Sequence, residues 1–314
     1  MAGQPVGVTS TSPRRRLGGL VFGIITLTLV ALHPSLVAST VWWGVVVGGA
    51  LCLFLGYLDD SLTLPWWAQA VFQVVLGGVA VFYGASFGAS NLPWVGVVPL
   101  STFGLWVPGA LYLLWWLVLS NALNWVDGMD HLAPLVLSIA FVALALFSLQ
   151  ISVLQPTIAI IIGIATFCLV VFTVFFNRPP YSLTLGTAGV WLYSYLLAYL
   201  SLAVGAKVAI VVLPLLLPLL DALCVVLGRL YHGRSPWQGD QSHLHHILRA
   251  AGWSHCQILM LYGGHASILA VVSLYQGTAG KWLGLVVLGV LTLGLLVWLR
   301  QATIVTKSGS DMAP

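Results

Sequence analysis

The sequence predicts an all-α, polytopic integral membrane protein with about ten transmembrane helices. Three observations carry that prediction. The 314-residue chain is 60% hydrophobic, with a mean hydropathy of +1.04. Apolar runs near the ~20 residues that cross a bilayer recur along it. Charge is scarce, at 6% of residues, and Glu is absent. A soluble core would not need apolar runs of that length. Arg14-Arg15-Arg16 ahead of Leu17 resembles the start of a signal peptide, but the run leads straight into further spans without a clear cleavage site.

The spans are expected at 17–33, 36–58, 65–84, 105–123, 132–150, 156–176, 189–205, 208–228, 257–276 and 281–300. His33-Pro34 breaks the first hairpin, and Gly or Pro marks most other ends. Placing residues 1–16 in the cytoplasm makes 59–64, 124–131, 177–188, 229–256 and the tail 301–314 cytoplasmic as well. Those segments hold Arg14, Arg15, Arg16, Arg178, Arg229, Arg234, Arg249 and Lys307, with Arg300 at the boundary. The opposite side holds Lys207 and Lys281, so the basic residues fix the orientation. The acids agree independently: Asp59, Asp60, Asp127, Asp130 and Asp240 fall in cytoplasmic loops, and Asp221 lies about two turns inside its span. The outer segment 85–104 reads as a short extended stretch or hairpin, and the tail from Gln301 as mobile. Cys52, Cys168, Cys224 and Cys256 form no CxxC and read as reduced apolar filler. The net charge of +4 fits loops facing an anionic leaflet and gives no sign of a nucleic-acid partner.

The chemistry concentrates in Asn121-Ala-Leu-Asn124-Trp-Val-Asp127-Gly-Met-Asp130-His131. Polar groups at the end of an apolar run cost free energy to desolvate, so they imply a ligand. The spacing by three puts Asn121, Asn124 and Asp127 on one face if the helix continues; otherwise the Gly128 turn presents them to water. His131 either caps the next helix or faces water. Asp59-Asp60 ends the second span, and adjacent carboxylates there need a cation, a basic partner or one raised pKa. Asn177-Arg178-Pro179-Pro180 leads to Gly186-Thr187-Ala188-Gly189, which reads equally as a plain loop or as a helix start whose free N–H groups could hold a phosphate. Asp221, inside a span, pairs with Arg229 two turns on or with a polar group of the site. His243-Leu-His245-His246, with Asp240, Arg234 and Arg249, forms a cationic strip. It suits a zinc site, an amphipathic helix on the lipid surface, or a phosphate at headgroup level. Carboxylates and amides suit Mg²⁺ bridging protein and diphosphate, and His and Arg suit phosphate oxygens.

In this order these motifs resemble the polyprenyl-phosphate N-acetylhexosamine-1-phosphate transferases, a family that includes the phospho-MurNAc-pentapeptide translocase. The resemblance covers about residues 12–260. Ser12-Pro13-Arg14 to Gly18-Gly19 is similar to the family's Pro-Arg-x-Gly-Gly opening. Gly56 to Asp60 matches its Asp-Asp motif, with Gln73 in the next helix, and Asn121 to Asp130 its Asn-x-x-Asn-x-x-Asp-Gly-x-Asp motif. Asp221, Ser235-Pro236, Asp240 and His243 to His246 match its last cytoplasmic loop, closer to the GlcNAc-1-phosphate branch. The resemblance implies transfer of an N-acetylhexosamine-1-phosphate from a UDP-sugar to polyprenyl phosphate, releasing UMP, at the cytoplasmic face of a prokaryotic plasma membrane. It implies Mg²⁺, or Mn²⁺ in its place, at Asp127, Asp130 and Asp60. It implies catalytic roles for Asp59, Asp60, Asp127, Asp130, His243, His245 and His246. Substrate binding would fall to Asn121, Asn124, Asn177, Arg178, Asp221, Asp240 and Arg249, and a homodimer is compatible with it.

Three departures stand out. Thr187 occupies the place of the Asp that the family uses as a metal ligand in Gly-Asp-x-Gly. His131 replaces a Gly. The chain begins within what is usually the first cytoplasmic loop, so one N-terminal span is expected to be absent. Thr187 supports a second class of function, a relative that binds polyprenyl phosphate or UDP-sugar without turnover. An ion-coupled transporter is a third, disfavoured because its acids belong near the midplane and these cluster at one face.

Overall fold

A computed structural model describes residues 16–33, 40–92, 96–150, 153–177, 181, 183–204, 208–236, 241–275 and 278–310. The described chain is helical apart from one small hairpin. Its helices are α1 (Leu17–Leu32), α2 (Thr40–Leu62), α3 (Trp66–Phe82), α4 (Val107–Val126), α5 (Leu132–Ser148) and α6 (Pro156–Val171). They continue with α7 (Gly186–Ala203), α8 (Val208–Val212), α9 (Leu216–Tyr231), α10 (Leu244–Ala250), α11 (His255–Tyr275) and α12 (Thr278–Ser310). Between α3 and α4, strands β1 (Ala89–Leu92) and β2 (Gly96–Pro99) pair antiparallel with Leu92 opposite Gly96, which is the hairpin expected of 85–104.

Among the described residues five helical segments are long and apolar enough to cross a membrane: Thr40–Leu62, Val107–Val126, Pro156–Phe176, His255–Tyr275 and Leu283–Gln301. Leu17–Leu32, Trp66–Phe82 and Leu132–Ser148 are shorter apolar helices. Large apolar side chains such as Phe54, Phe167, Ile268 and Trp298 stay exposed along them. A water-soluble protein does not expose apolar surface on this scale, whereas lipid covers it without cost. The chain is an all-α polytopic integral membrane protein.

The main differences from the expected spans are these. The run 208–228 divides into α8 and α9 around Leu213–Leu215, because Pro214 lacks an N–H and its ring collides with the carbonyl one turn back. α2 carries on through Asp59 and Asp60 to Leu62. α7 begins at Gly186, inside the expected loop. α12 runs as helix to Ser310 where a mobile tail is expected, since the segment from Gln301 to Ser308 has neither Pro nor Gly to end it.

α7 is the axis of the fold. Every residue from Gly186 to Leu202 is buried, and α1, α2 and α4 pack around it. A helix buried on all faces must satisfy its polar groups internally. The Tyr193 hydroxyl meets Thr26 Oγ1 at 2.9 Å, Tyr195 donates to the Gly44 carbonyl at 3.0 Å and Tyr199 to the Tyr83 carbonyl at 2.8 Å. α1 reaches α7 backbone to backbone at Gly19 and Gly189. A Cβ on either would lie 2.4 or 2.5 Å from the other's Cα, so a side chain there forces the helices apart.

Candidate active site

The start of α7 is where the acidic motifs meet. An α-helix leaves its first N–H groups without intrahelical partners, and their partial positive charge attracts anions. Here the protein's own carboxylates take them. Gly186 N donates to Asp127 Oδ2 at 3.0 Å, Thr187 N to Asp60 Oδ1 at 3.0 Å and Ala188 N to Asp60 Oδ2 at 3.1 Å. The expected phosphate site at these N–H groups is therefore filled, because two side-chain anions held in place by α2 and α4 reach it without loss of binding entropy. Arg16 Nη1 adds a contact to Asp60 Oδ1 at 3.8 Å. Asp59 is held separately, by Gln69 Nε2 at 2.9 Å and by Thr187 Oγ1 at 2.8 Å. The adjacent carboxylates are thus reconciled by diverging donors. Gly186 makes the turn possible: its φ is +61°, and a Cβ would lie 2.8 Å from Asp60 Oδ2.

The Asn121 to Asp130 stretch begins as helix and ends as a turn. α4 continues to Val126, so Asn121 and Asn124 stand on it, and Asp127 is its C-terminal cap residue. Asn121 exchanges hydrogen bonds with Gln73 of α3, Nδ2 to Oε1 at 3.0 Å and Nε2 to Oδ1 at 3.4 Å. Asn121 and Asn124 line a pocket with Trp66, Gln69, Ala70, Gln73 and Trp125. Burial pushes the Asp127 carboxyl well above the usual carboxylate range; the Gly186 N–H opposes this, and the charges of Asp60 and Asp130 add to it. Asp130 has no hydrogen-bond or ion-pair partner among the described residues. His131 keeps φ at +67° and sets its ring edge-on to His255 at 5.6 Å, without capping α5 through its side chain. That left-handed backbone is what a glycine adopts freely, which fits the family's Gly at this position.

The histidine strip approaches from the other side. His243 precedes α10 and is buried, with Nδ1 3.0 Å from Asp221 Oδ2. Its ring lies 5.3 Å from Trp125 and 6.1 Å from His245, and His245 lies 4.1 Å from His246. A Cβ on Gly128 would stand 3.6 Å from His245 Nε2 and 3.7 Å from His246 Nε2, so the acidic turn and the strip face each other. His245 is 1% exposed, and neither ring nitrogen has a protein partner among the described residues. Burial and then the neighbouring His246 push its pKa down to about 3, so it is neutral at physiological pH.

Several expectations are corrected. Of the two partners expected for Asp221, Arg229 is not one, whereas a polar group of the histidine strip, His243, is. Asp221 accepts from Arg300 Nη2 at 2.7 Å and from Leu244 N at 3.0 Å, besides His243. Arg229 instead donates to the Pro236 carbonyl at 2.6 Å and lies over the Trp125 ring at 5.5 Å. Packing brings α12 beside α9, and the nearer guanidinium takes the buried carboxylate. Asn177 is buried and donates to the Leu183 carbonyl, while its Oδ1 has no described partner. Arg249 stands exposed on α10. Arg178 and Asp240 lie outside the described residues. Sequence reasoning passed over Gln69, Trp125 and the contacts of Arg16 and Arg300. Trp125 lay within the central motif, and a lone Arg at the end of the last span was a candidate partner for a lone intramembrane Asp.

Among the described residues no group of three or more His, Cys, Asp or Glu side chains stands ready to hold a metal. Mg²⁺ commonly takes one or two carboxylates and completes its shell with substrate phosphates and water. Asp127 and Asp130 suit that arrangement. Asp127 Oδ1 and both Asp130 oxygens are without described donors, and mutual repulsion between half-buried carboxylates is what a divalent cation relieves. Asp60, expected as a third ligand, has both oxygens occupied by α7.

Residues 42–205, more than half of the chain, match the model of glycosyl transferase family 4. The chain is 29% identical to a decaprenyl-phosphate N-acetylglucosaminephosphotransferase of Mycobacterium tuberculosis (strain H37Rv), over 90% of this chain and 78% of that protein. It is 24% identical to a probable undecaprenyl-phosphate N-acetylglucosaminyl 1-phosphate transferase of Bacillus subtilis (strain 168), over 88% and 77%. It is 29% identical to an undecaprenyl-phosphate alpha-N-acetylglucosaminyl 1-phosphate transferase of Salmonella typhi, over 77% and 68%. With an intramembrane fold that gathers carboxylates, amides and histidines at one end, and with a family match across its central helices, this chain belongs to glycosyl transferase family 4.

Proposed function

We propose that the protein transfers N-acetylglucosamine-1-phosphate from UDP-N-acetylglucosamine to a polyprenyl phosphate, releasing UMP, at the cytoplasmic face of a prokaryotic plasma membrane. The observation that carries this reading is the meeting of the Asp127–Asp130 turn with the His243–His246 strip beside the Asn124 pocket. Acidic groups for a cation and imidazoles for phosphate then share one place. The names of the relatives supply the sugar and the lipid class.

In the reaction an oxygen of the lipid phosphate attacks the phosphorus bonded to the sugar. The bridging P–O bond of the UDP-sugar breaks, and UMP leaves with the bridging oxygen. Asp127 and Asp130 would hold Mg²⁺, which when bound neutralises charge on the diphosphate. Asn124 offers its amide to nucleotide or phosphate from the pocket wall. Asn121 acts through Gln73, which keeps that wall rigid. His245 and His246 face the turn, His243 stands beside them against Trp125, and the three stabilise phosphate and sugar. Asp59 and Asp60, engaged by Gln69 and the first turn of α7, fix the position of Asp127 rather than serve as the base. Trp125 covers the strip and excludes water.

The test is Mg²⁺-dependent UMP release from UDP-N-acetylglucosamine and undecaprenyl phosphate by the purified protein, run beside Thr187→Asp. The native protein is expected to turn over. Thr187 Oγ1 donates to Asp59, so an Asp at this position sets two carboxylates together and is expected to lower the rate about tenfold or more. Turnover by Thr187→Asp with none by the native protein would overturn the proposal and mark the chain as a binding protein.

A further inference from the structure

Arg300, on the last helix, has no part in the reaction as drawn above, yet it reaches inward from α12. Its side chain is 23% exposed and donates to an Asp221 carboxylate that is fully buried. Asp221 Oδ1 takes Arg300 Nη2 at 2.7 Å and Leu244 N at 3.0 Å, and Oδ2 faces His243 Nδ1 at 3.0 Å. The His243 ring lies against Trp125, which lines the pocket. One chain of contacts therefore runs from α12 through α9 to the histidine strip and α4.

A carboxylate against Nδ1 keeps the proton on that nitrogen and leaves Nε2 as the atom the ring presents outward. A buried carboxylate acting alone would also favour the imidazolium strongly. A guanidinium on the same carboxylate offsets that charge. We propose that Arg300 is a positioning residue for His243: it holds the Asp221 carboxylate that orients the imidazole, and it offsets the charge that this carboxylate would otherwise impose on the ring. The inference rests on reading His243 as a group of the transferase site. The other titratable side chains around this cluster are His245 and His246 on α10, Cys224 on α9 and Tyr262 on α11. Arg229 lies over Trp125.

The test is ¹⁵N NMR of the full chain labelled at histidine in detergent, with His243 assigned by His243→Gln. The pH profile of UMP release is measured in parallel. In the native protein the neutral His243 ring is expected to carry its proton on Nδ1. Arg300→Gln is expected to shift the His243 ring ¹⁵N resonances, and the pH profile of UMP release changes with it. Arg300→Lys keeps the charge and is expected to return both. The double variant Arg300→Met, Asp221→Asn leaves no buried lone ion, which guards against simple misfolding, and is expected to lose the Nδ1 preference. Unmoved ring resonances in Arg300→Gln together with an unchanged tautomer in the double variant would overturn the inference and leave Arg300 a staple for α12. If the ring responds as expected and no variant releases UMP, the transferase reading falls while the coupling stands. If UMP is released and the ring does not respond, the coupling alone falls.

Discussion

In its proposed role, Asp127 comes at a cost to stability. Its carboxyl is raised by burial and by Asp60 and Asp130. An acid whose folded pKa exceeds its unfolded one loses stability as pH rises through that interval. Asp127→Asn removes the buried charge, so at neutral pH without divalent cation it is expected to raise Tm by about 2–4 °C. The same change is expected to cut UMP release about a thousandfold or more, and thermal denaturation beside the activity assay checks both. His245 has the opposite sign. Its folded pKa is depressed to about 3, so its contribution is complete above the unfolded value near 6.5 and is lost as pH falls toward 3. His245→Phe is expected to flatten the fall in Tm between about pH 6.5 and 4, measured as a pH series. Residue types and spacing made both groups legible as candidates. Their protonation was not legible, because it depends on which atoms surround them.

At the scale of the element, the first turn of α7 decides most of the site geometry. The sequence marked Gly186 to Gly189 as a helix start suited to an anion, and the physics of that reading was sound. The occupant was wrong: the N–H groups hold Asp60 and Asp127. Nothing in the spacing shows that α2 and α4 bring carboxylates to this point. Gly186→Ala would add a Cβ at φ +61° and 2.8 Å from Asp60 Oδ2. It is expected to cost about 1–3 kcal/mol of stability and to reduce turnover about tenfold or more by displacing Asp127. Purification yield, Tm and UMP release check this together. Gly186→Asn, which tolerates the left-handed region better, is expected to fall between. α10 was also read differently from the sequence: Leu244 and Leu248, expected on a lipid-facing side set against the histidines, are buried in the protein together with His245.

For the whole molecule, orientation is the statement that joins fold to function, and native cysteines report it. Cys256 is exposed at the start of α11, on the side assigned to the cytoplasm, whereas Cys52 and Cys168 are buried. A membrane-impermeant maleimide is expected to label Cys256 in inside-out vesicles and not in intact cells, with Cys256→Ser abolishing the signal. Labelling from outside would reverse the topology and separate the site from cytoplasmic UDP-sugars. That the chain is an all-α membrane protein, where most of its helices lie and which stretches hold the polar chemistry can be read along the chain, because length, apolarity and local turn residues act on neighbours in sequence. That α7 is the buried axis, that α12 sends Arg300 to Asp221 across 79 positions, and that Asp59 is shared by Gln69 and Thr187 emerge from helix packing alone. A buried ion or amide must take whichever partner packing places within about 3 Å, and that choice is made between helices rather than along them.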